Sequence, residues 1–187
     1  MTRRSKLPSL VLCACGCALS HAAPAASGAE AGPGPYNLDL DAGAGKSEQR
    51  FLQIPGGAFT VKGYLQFVSI QSSSRWEPMA AVEVMGPKDS YYAGLIAFVV
   101  PNSPDKVQFA VRDVRLRGLP DATFARAPLA HLLIPFELHL DRSGTLQVSV
   151  AGSTGRAVPV RPEEITRVSV IASTGHMRFT NITITSD

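Results

Sequence analysis

The sequence predicts an all-β domain: a two-sheet antiparallel β-sandwich with minimal helix. Apolar and polar residues alternate repeatedly, as in Phe136, Leu138 and Leu140, which are separated by Glu137 and His139. Because successive side chains of a strand point to opposite faces, this alternation indicates strands with one buried face. Gly- and Pro-rich turns separate the alternating runs, and helical periodicity is nearly absent.

About ten segments have this strand character, and the breaks between them have turn composition. Between two of the runs lies Asp141-Arg142-Ser143-Gly144, which suits a type I turn with its glycine in the left-handed conformation. One helical turn is predicted to start at Pro162. The predicted strands cover residues 37–41, 50–54, 58–70, 80–85, 92–100, 106–115, 136–140, 146–150, 167–170 and 176–186.

The last predicted strand changes phase in its middle. Met177 and Phe179 occupy odd positions, whereas Ile182 and Ile184 occupy even ones. A regular strand cannot bury both pairs on one face. Either a β-bulge lies near residues 180–181 or the strand is covered on both faces, and we favour the bulge.

The first 25 residues contain the three parts of a secretory signal peptide in order. Three basic residues precede an apolar run at 7–19, and small residues up to Ala25 fit a cleavage site. The run is shorter than the roughly 20 residues of a transmembrane helix. We therefore expect cleavage, a flexible tether at 26–35, a β-sandwich domain at 36–187, and a periplasmic or secreted protein.

The cysteines all lie within the predicted signal peptide, at Cys13, Cys15 and Cys17. Cleavage leaves a mature chain without thiols, which excludes disulfides and thiolate metal sites. One alternative retains a cysteine, because Leu12-Cys13-Ala14-Cys15 resembles a bacterial lipobox and Cys17 follows a second, poorer match. A lipid anchor at Cys15 or Cys17 would then hold the protein at the envelope.

The net charge argues against a nucleic-acid partner. The whole chain has 18 basic and 15 acidic residues, and three of the basic ones belong to the predicted signal peptide. A nearly neutral mature chain lacks the basic surface that nucleic acids require. Arg112, Arg115 and Arg117 alternate, and we interpret them as one solvated strand face rather than an anion site.

The segment FELHLDRSGTLQVSVAG, followed by TRVSVIASTGHMRFTNITI, resembles the C-terminal half of concanavalin A-like (lectin/glucanase) jelly rolls. There, a strand, a tight turn and a strand precede a last strand of the form Phe-x-Asn-Ile-x-Ile, here at residues 179–184. The segments GGAFTVKGYLQF and YYAGLIAFVV fit earlier strands, so the resemblance covers about residues 50–185. It implies a jelly-roll sandwich of a kind that often binds or cleaves glycans.

No catalytic carboxylate pair is evident. The glucanase pattern Glu-x-Asp-x-x-Glu is missing, and retaining glycosidases need two carboxyl groups about 5–5.5 Å apart. Asp39 and Asp41 form the one acidic i, i+2 pair, which we interpret as exposed edge charges, with calcium binding as the alternative. Glu77 and Glu83 are far apart along an extended chain.

The sequence also gives no support for a nucleophilic serine or for a metal site. No Gly-x-Ser-x-Gly motif occurs, and His131, His139 and His176 lack metal-ligand spacing. The sequence therefore predicts no catalytic residue, metal site or cofactor. His139 remains a candidate for ligand contact because it should point away from the core.

The stretch QSSSRWEP, residues 71–78, is the strongest candidate for ligand binding. It combines hydroxyl groups with Arg75 and the one tryptophan, Trp76. Aromatic rings stack on the apolar faces of sugars while neighbouring polar groups bind hydroxyls. Trp76 with Arg75, Tyr91 and Tyr92 is predicted to form such a platform; alternatively, Trp76 closes an edge of the sandwich.

These observations favour an exported, non-catalytic binding module whose partner is a carbohydrate or another cell-envelope component. A glycan hydrolase or lyase of atypical signature is the first alternative, suggested by the resemblance alone. An envelope structural protein that binds a protein partner is the second, and it predicts a flat apolar surface patch.

Overall fold

A computed structural model of the chain describes residues 35–74, 76–100, 103–116, 122–129 and 132–187, and in these residues every strand pair is antiparallel. Three single 3-10 turns cover Pro87–Asp89, Val114–Leu116 and Pro162–Glu164. The strands are β1 (Tyr36–Gln53), β2 (Phe59–Ile70), β3 (Met79–Met85), β4 (Tyr92–Val100), β5 (Ser103–Asp113), β6 (Ala122–Pro128), β7 (Ile134–Leu140), β8 (Thr145–Val150), β9 (Ser153–Thr154), β10 (Val158–Pro159) and β11 (Arg167–Ser186).

The strands form two layers, which confirms the predicted antiparallel sandwich. Sheet A contains residues 36–42 of β1 and 175–186 of β11, followed by β2, β7 and β8, with β9 and β10 beside β8. Sheet B contains residues 47–53 of β1 and 167–173 of β11, followed by β3, β4, β5 and β6. The apolar faces of both sheets meet in one core.

Two strands belong to both sheets, because β1 and β11 bend together from one layer into the other. Their register shifts between Ala42 and Ser47, opposite Thr174 and Gly175 of β11. A Cβ on Gly175 would lie 2.6 Å from the carbonyl oxygen of Ser69, so β2 can approach this bend only because residue 175 lacks a side chain.

Local features of the sequence account for the turn and the bulge. Gly144 has φ +81° and donates its N–H to the Asp141 carbonyl (3.1 Å), as the predicted turn between β7 and β8 requires. The register of β11 against β2 shifts between Thr180 and Thr183, and Asn181 has φ +53°. The bulge therefore lies where the phase change predicts it, and Ile182 is buried as a result.

Some boundaries differ from the prediction. The segments predicted at 37–41 and 50–54 belong to the single strand β1, and those at 167–170 and 176–186 to β11. Strand β6 was not predicted, because ATFARAP offers mainly alanine as its apolar residues. The helical turn at Pro162–Glu164 is confirmed as 3-10.

The interpretation of the three alternating arginines as one strand face was wrong. Strand β5 ends at Asp113, so Arg112 lies on the sheet whereas Arg115 lies in the following 3-10 turn and binds Asp113. Arg117 lies outside the described residues. In the described part of the chain, no helix has the length and apolar character that a membrane crossing requires.

Candidate functional site

A row of residues crosses the outer face of sheet B at its centre. The strand register places Phe51 of β1 beside Ser169 of β11, Ser169 beside Glu83 of β3, Glu83 beside Gly94 of β4, and Gly94 beside Arg112 of β5. We call these five residues the polar row. Their side chains point away from the sandwich core, because the alternate positions of the same strands pack inside it.

Gly94 allows the two charged members of the row to meet. Arg112 lies two strands from Glu83, yet its Nη1 is 3.5 Å from Glu83 Oε1. A Cβ on Gly94 would lie 2.3 Å from the carbonyl oxygen of Val82, so no side chain fits there. The long arginine side chain instead extends over the glycine, and its Nη2 also approaches Met79 Sδ at 3.9 Å.

Ser169 is the neutral polar member of the row. Gln49 of β1 donates from Nε2 to Ser169 Oγ at 2.7 Å, and the same nitrogen is 3.9 Å from Met85 Sδ. Ser169 is fully buried and Glu83 is 2% exposed. Buried polar groups reduce stability unless they are paired, and here Ser169 is paired with Gln49 and Glu83 with Arg112. The two buried groups therefore fix the side chains of Gln49 and Arg112 on this face.

Apolar residues surround the polar row, and aromatic residues lie at its edge. Phe51 is 42% exposed, and the Arg167 guanidinium lies over its ring, 4.1 Å from the centroid. Arg167 also binds Asp89 of the β3–β4 turn. Tyr92 shares this face because it pairs with Met85. The remaining outward residues in the middle of the sheet are small or aliphatic: Ala81, Ile96, Ala110 and Ile171.

Arg112, Gln49 and Phe51 are the exposed or partly exposed groups here that can contact a hydroxylated ligand, and the arrangement lacks the carboxylate pair of a retaining glycosidase. Among the described positions that pair with Glu83 or flank it on the same face, none is an acid. In the described part of the chain, no three His, Cys, Asp or Glu side chains are arranged to hold a metal ion.

Trp76 and the two tyrosines lie at opposite ends of the β3–β4 hairpin. The Val99 N–H donates to the Pro78 carbonyl at the Trp76 end, and the Gly86 N–H donates to the Tyr91 carbonyl at the other end. A strand of seven residues separates the two ends by about 20 Å. The idea of one shared platform was therefore wrong, although ligand binding by each residue stays a prediction.

Each of the three aromatic residues has a distinct environment. Trp76 is 42% exposed, and its Cδ1 would be 3.9 Å from a Cβ on Gly45, so it lies beside the bend of β1. Tyr92 lies on the polar-row face. Tyr91 packs against the core, with the Arg115 guanidinium 5.1 Å from its ring centroid. Arg75, the fourth member of the predicted platform, lies outside the described residues, as do Cys15 and Cys17.

His139 lies on the outer face of sheet A, as its alternation predicts. Its Nδ1 is 3.0 Å from Thr60 Oγ1 and 3.2 Å from Asp187 Oδ2. Thr60 Oγ1 also donates to Asp187 Oδ2 at 2.9 Å. A catalytic triad uses the two ring nitrogens for different partners, whereas here both partners meet Nδ1. This trio therefore fastens Asp187 to the sheet.

The acidic pair Asp39 and Asp41 is arranged as edge charges. Asp39 binds His176 and Arg178 on β11, and the hydrogen bond from His176 is the main cause that lowers the Asp39 pKa below its ordinary value. The Asp41 backbone N–H donates to Glu48 Oε2 at 3.0 Å. Calcium binding by this pair stays untested.

The polar row escaped the sequence analysis because its members come from five strands, of which β1 and β11 lie at opposite ends of the domain. One local signal was present: Glu83 interrupts the apolar run MAAVEVM. An acid inside a strand that is otherwise buried on both faces indicates either a buried ion pair or a functional group. Its partners became visible only with the strand register.

No protein-family model and no curated protein sequence matches the chain. Solved structures do match its fold. An alginate lyase from Pseudomonas aeruginosa has a TM-score of 0.53 and 14% sequence identity, over 76% of this chain and 75% of the lyase. A GH43 protein from Bacillus licheniformis has a TM-score of 0.55 and 10% identity, over 81% of this chain and 33% of that protein.

A sialidase has a TM-score of 0.54 and 13% identity, over 80% of this chain and 15% of the sialidase. The chain thus spans a third or less of these last two proteins. At these identities, the likeness concerns the fold and extends to no individual residue. The chain has the concanavalin A-like jelly-roll fold.

Proposed function

We propose that the protein is an exported, non-catalytic carbohydrate-binding module whose site is the polar row on sheet B. One observation carries the proposal: the partly exposed guanidinium of Arg112 and amide of Gln49 lie on one sheet face with the exposed ring of Phe51, and the buried Glu83 and Ser169 hold the two polar groups in place. Planar charged groups and amides bind sugar hydroxyls in pairs, and an aromatic ring stacks on sugar C–H groups.

The fold supports a glycan as the class of ligand to test first. Proteins named as an alginate lyase and a sialidase share it, although fold alone does not establish function. The absence of a second acid around Glu83, within the described residues, favours binding over retaining hydrolysis.

Glycan-array binding by the purified protein tests the proposal. Phe51→Ala and Gln49→Ala should each weaken binding about fivefold, because each removes a contact that contributes about 1 kcal/mol. Arg178→Ala, on the opposite sheet, is the matched control and should bind normally. Failure of a folded protein to bind any glycan would contradict the proposal, as would binding that ignores Phe51 and Gln49.

The same array tests the ligand role of Trp76. Trp76→Ala should reduce binding only if the glycan extends from the polar row to the bend of β1. Release of shortened or unsaturated glycans during incubation would instead support the hydrolase or lyase alternative.

A second candidate function, binding of a protein partner, rests on a separate observation. An open hollow of about 510 Å³ lies at the sandwich edge, with Phe67, Ile70 and Leu129 among its lining residues. Leu132 and Leu133 are each more than half exposed. A folded protein that binds no glycan but associates with an envelope protein through these leucines would favour this candidate.

Export is part of the proposal and rests on the N-terminal sequence. Mass spectrometry of the protein recovered from the producing cells should show a chain that starts near Ala25. A lipid-modified Cys15 or Cys17 would support the anchored alternative, and a soluble cytoplasmic chain starting at Met1 would contradict export.

A further inference from the structure

The outer face of sheet A, opposite the polar row, contains a depression. A depression of about 350 Å³ lies where β2, β7 and the end of β8 meet the bulge of β11. Its lining includes Lys62, Tyr64, Glu137, Ser149 and Asn181, together with Phe136, which is buried in the core.

An exposed aromatic ring lies at this depression. Tyr64 is 39% exposed and pairs with Thr180 of β11 on one side and Pro135 of β7 on the other. The neighbouring Asn181 is the bulged residue, with φ +53°, and its backbone N–H is held by Asn37 Oδ1 at 2.9 Å. The bulge therefore sets an exposed amide next to the tyrosine.

The charged groups of the depression balance one another. Lys62 Nζ lies 3.2 Å from Glu137 Oε2, and both side chains are well exposed, at 59% and 41%. Ser149 is held by Thr154, with 3.1 Å between the two hydroxyl oxygens. This set offers both donors and acceptors without net charge, which suits a neutral polyhydroxylated ligand better than an anion.

We propose that this depression is a second carbohydrate site, which takes a neutral pyranose unit, and that the module is therefore bivalent. The sugar ring stacks on Tyr64, and two neighbouring hydroxyls bridge Lys62 and Glu137. The site itself does not depend on the polar row, because none of these residues lies on sheet B, whereas the bivalency rests on the proposed function. With sites on opposite faces, one molecule can connect two glycan chains.

Amide chemical-shift mapping of the ¹⁵N-labelled protein tests this site. The probes are cellohexaose, laminarihexaose and xylohexaose as neutral oligosaccharides, with an alginate hexamer as the acidic comparison. We expect at least one neutral probe to shift the amides of Tyr64 and Asn181. Tyr64→Ala should weaken that binding about tenfold, whereas Tyr64→Phe, which keeps the ring, should bind nearly as well as the natural protein.

A second variant tests the site in case Tyr64→Ala does not fold. Glu137→Gln keeps the shape of the side chain and leaves Lys62 unbalanced, so it should weaken binding of the neutral probe several-fold in a folded protein.

The two proposals can fail separately. Phe51→Ala should leave the shifts around Tyr64 unchanged. If the natural protein shows no amide shifts around Phe51 with any glycan, the proposed function is overturned and this site is not. If no neutral probe shifts the Tyr64 region, or if Tyr64→Ala binds as well as Tyr64→Phe, the second site is overturned. Shifts there with the alginate hexamer alone would contradict the neutral specificity.

Discussion

Arg112 reaches Glu83 across the bare backbone of Gly94, with 3.5 Å between Nη1 and Oε1. The carboxylate is almost completely buried, whereas the guanidinium keeps 27% of its surface exposed. The pair therefore joins β3 to β5 over the strand between them. The two residues should respond differently to substitution, because only the carboxylate is buried.

Arg112→Met should lower the free energy of unfolding by about 2 kcal/mol, because it removes a cation that lies 3.5 Å from a buried carboxylate. The loss is smaller than for a fully buried pair because Arg112 is partly solvated. Urea unfolding monitored by tryptophan fluorescence provides the measurement. Arg161→Met, which breaks the exposed pair with Glu164, should change stability by less than about 0.5 kcal/mol.

A double variant separates the charge effect from lost packing. Adding Glu83→Gln to Arg112→Met removes the uncompensated charge and should restore part of the stability. An additive result, with both losses summed, would contradict the coupling between the two side chains.

Gly94→Ala should be among the most damaging single substitutions in the chain, with a loss of roughly 3 kcal/mol or more. The added Cβ would lie 2.3 Å from the Val82 carbonyl oxygen and 2.8 Å from Glu83 Cα, so β3 and β4 must separate. Gly43→Ala is the control, since its Cβ meets only Lys46 Cδ at 3.7 Å. Thermal unfolding should show a large fall for the first variant and little change for the second.

Asp113 should make stability depend on pH in the acid range. Burial acts to raise the pKa of Asp113, but the hydrogen bonds from the Arg115 side chain and backbone outweigh it and lower that pKa below its usual value. The stabilisation is thus complete above the unfolded pKa of about 3.9 and is lost as the pH falls through the lower, folded pKa.

Asp113→Asn tests this dependence. The variant should be about 1 kcal/mol less stable at pH 7, since Arg115 is nearly half exposed and the ion pair is partly screened. The difference from the natural protein should shrink as the pH falls below about 4. A difference that stays constant down to pH 2 would exclude the ion pair as its source.

Tyr91 should make the stability of the protein depend on pH in the alkaline range. Burial raises its pKa to about 12, with Asp113 adding to the effect and Arg115 and Arg156 opposing it. Because a tyrosine in the unfolded chain ionises near pH 10, the folded state loses stability as the pH rises from about 10 to 12. Spectrophotometric titration should show one tyrosine that ionises later than the others.

Tyr91→Phe offers the matched variant for this effect. It should be nearly neutral at pH 7, because the buried Oη finds no hydrogen-bond partner among the described residues. At pH 11 it should be more stable than the natural protein by about 1 kcal/mol. Equal stability at pH 11 would contradict the raised pKa.

The sequence predicted the parts of the fold that short segments of consecutive residues determine. Alternation in β7 and β8, the turn that ends at Gly144 and the bulge at Asn181 each depend on fewer than ten consecutive positions, and all three are confirmed. The pairing of β1 with β11 was not predictable in this way, because it joins segments from opposite ends of the domain. Alanine-rich β6 was missed for a different reason, since small side chains give a weak alternation signal.

The candidate site was harder to predict than the fold. Aromatic residues next to polar ones in the sequence, such as Trp76 beside Arg75, suggest a binding site. Which of these residues share one surface depends on the strand pairing, which the sequence does not show directly. Glu83 and Arg112 lie 29 positions apart by number, and Gln49 and Ser169 lie 120 apart. Only the register across five strands brings these four together.

The shared strands β1 and β11 also determine when the domain can fold. Asp39 and His176, which bind each other across these strands, lie 137 positions apart, so their pairing closes a loop of nearly the whole domain. Until β11 has been synthesised, β1 has no partner in either layer. Domains dominated by such distant contacts fold in milliseconds to seconds, far more slowly than helical bundles.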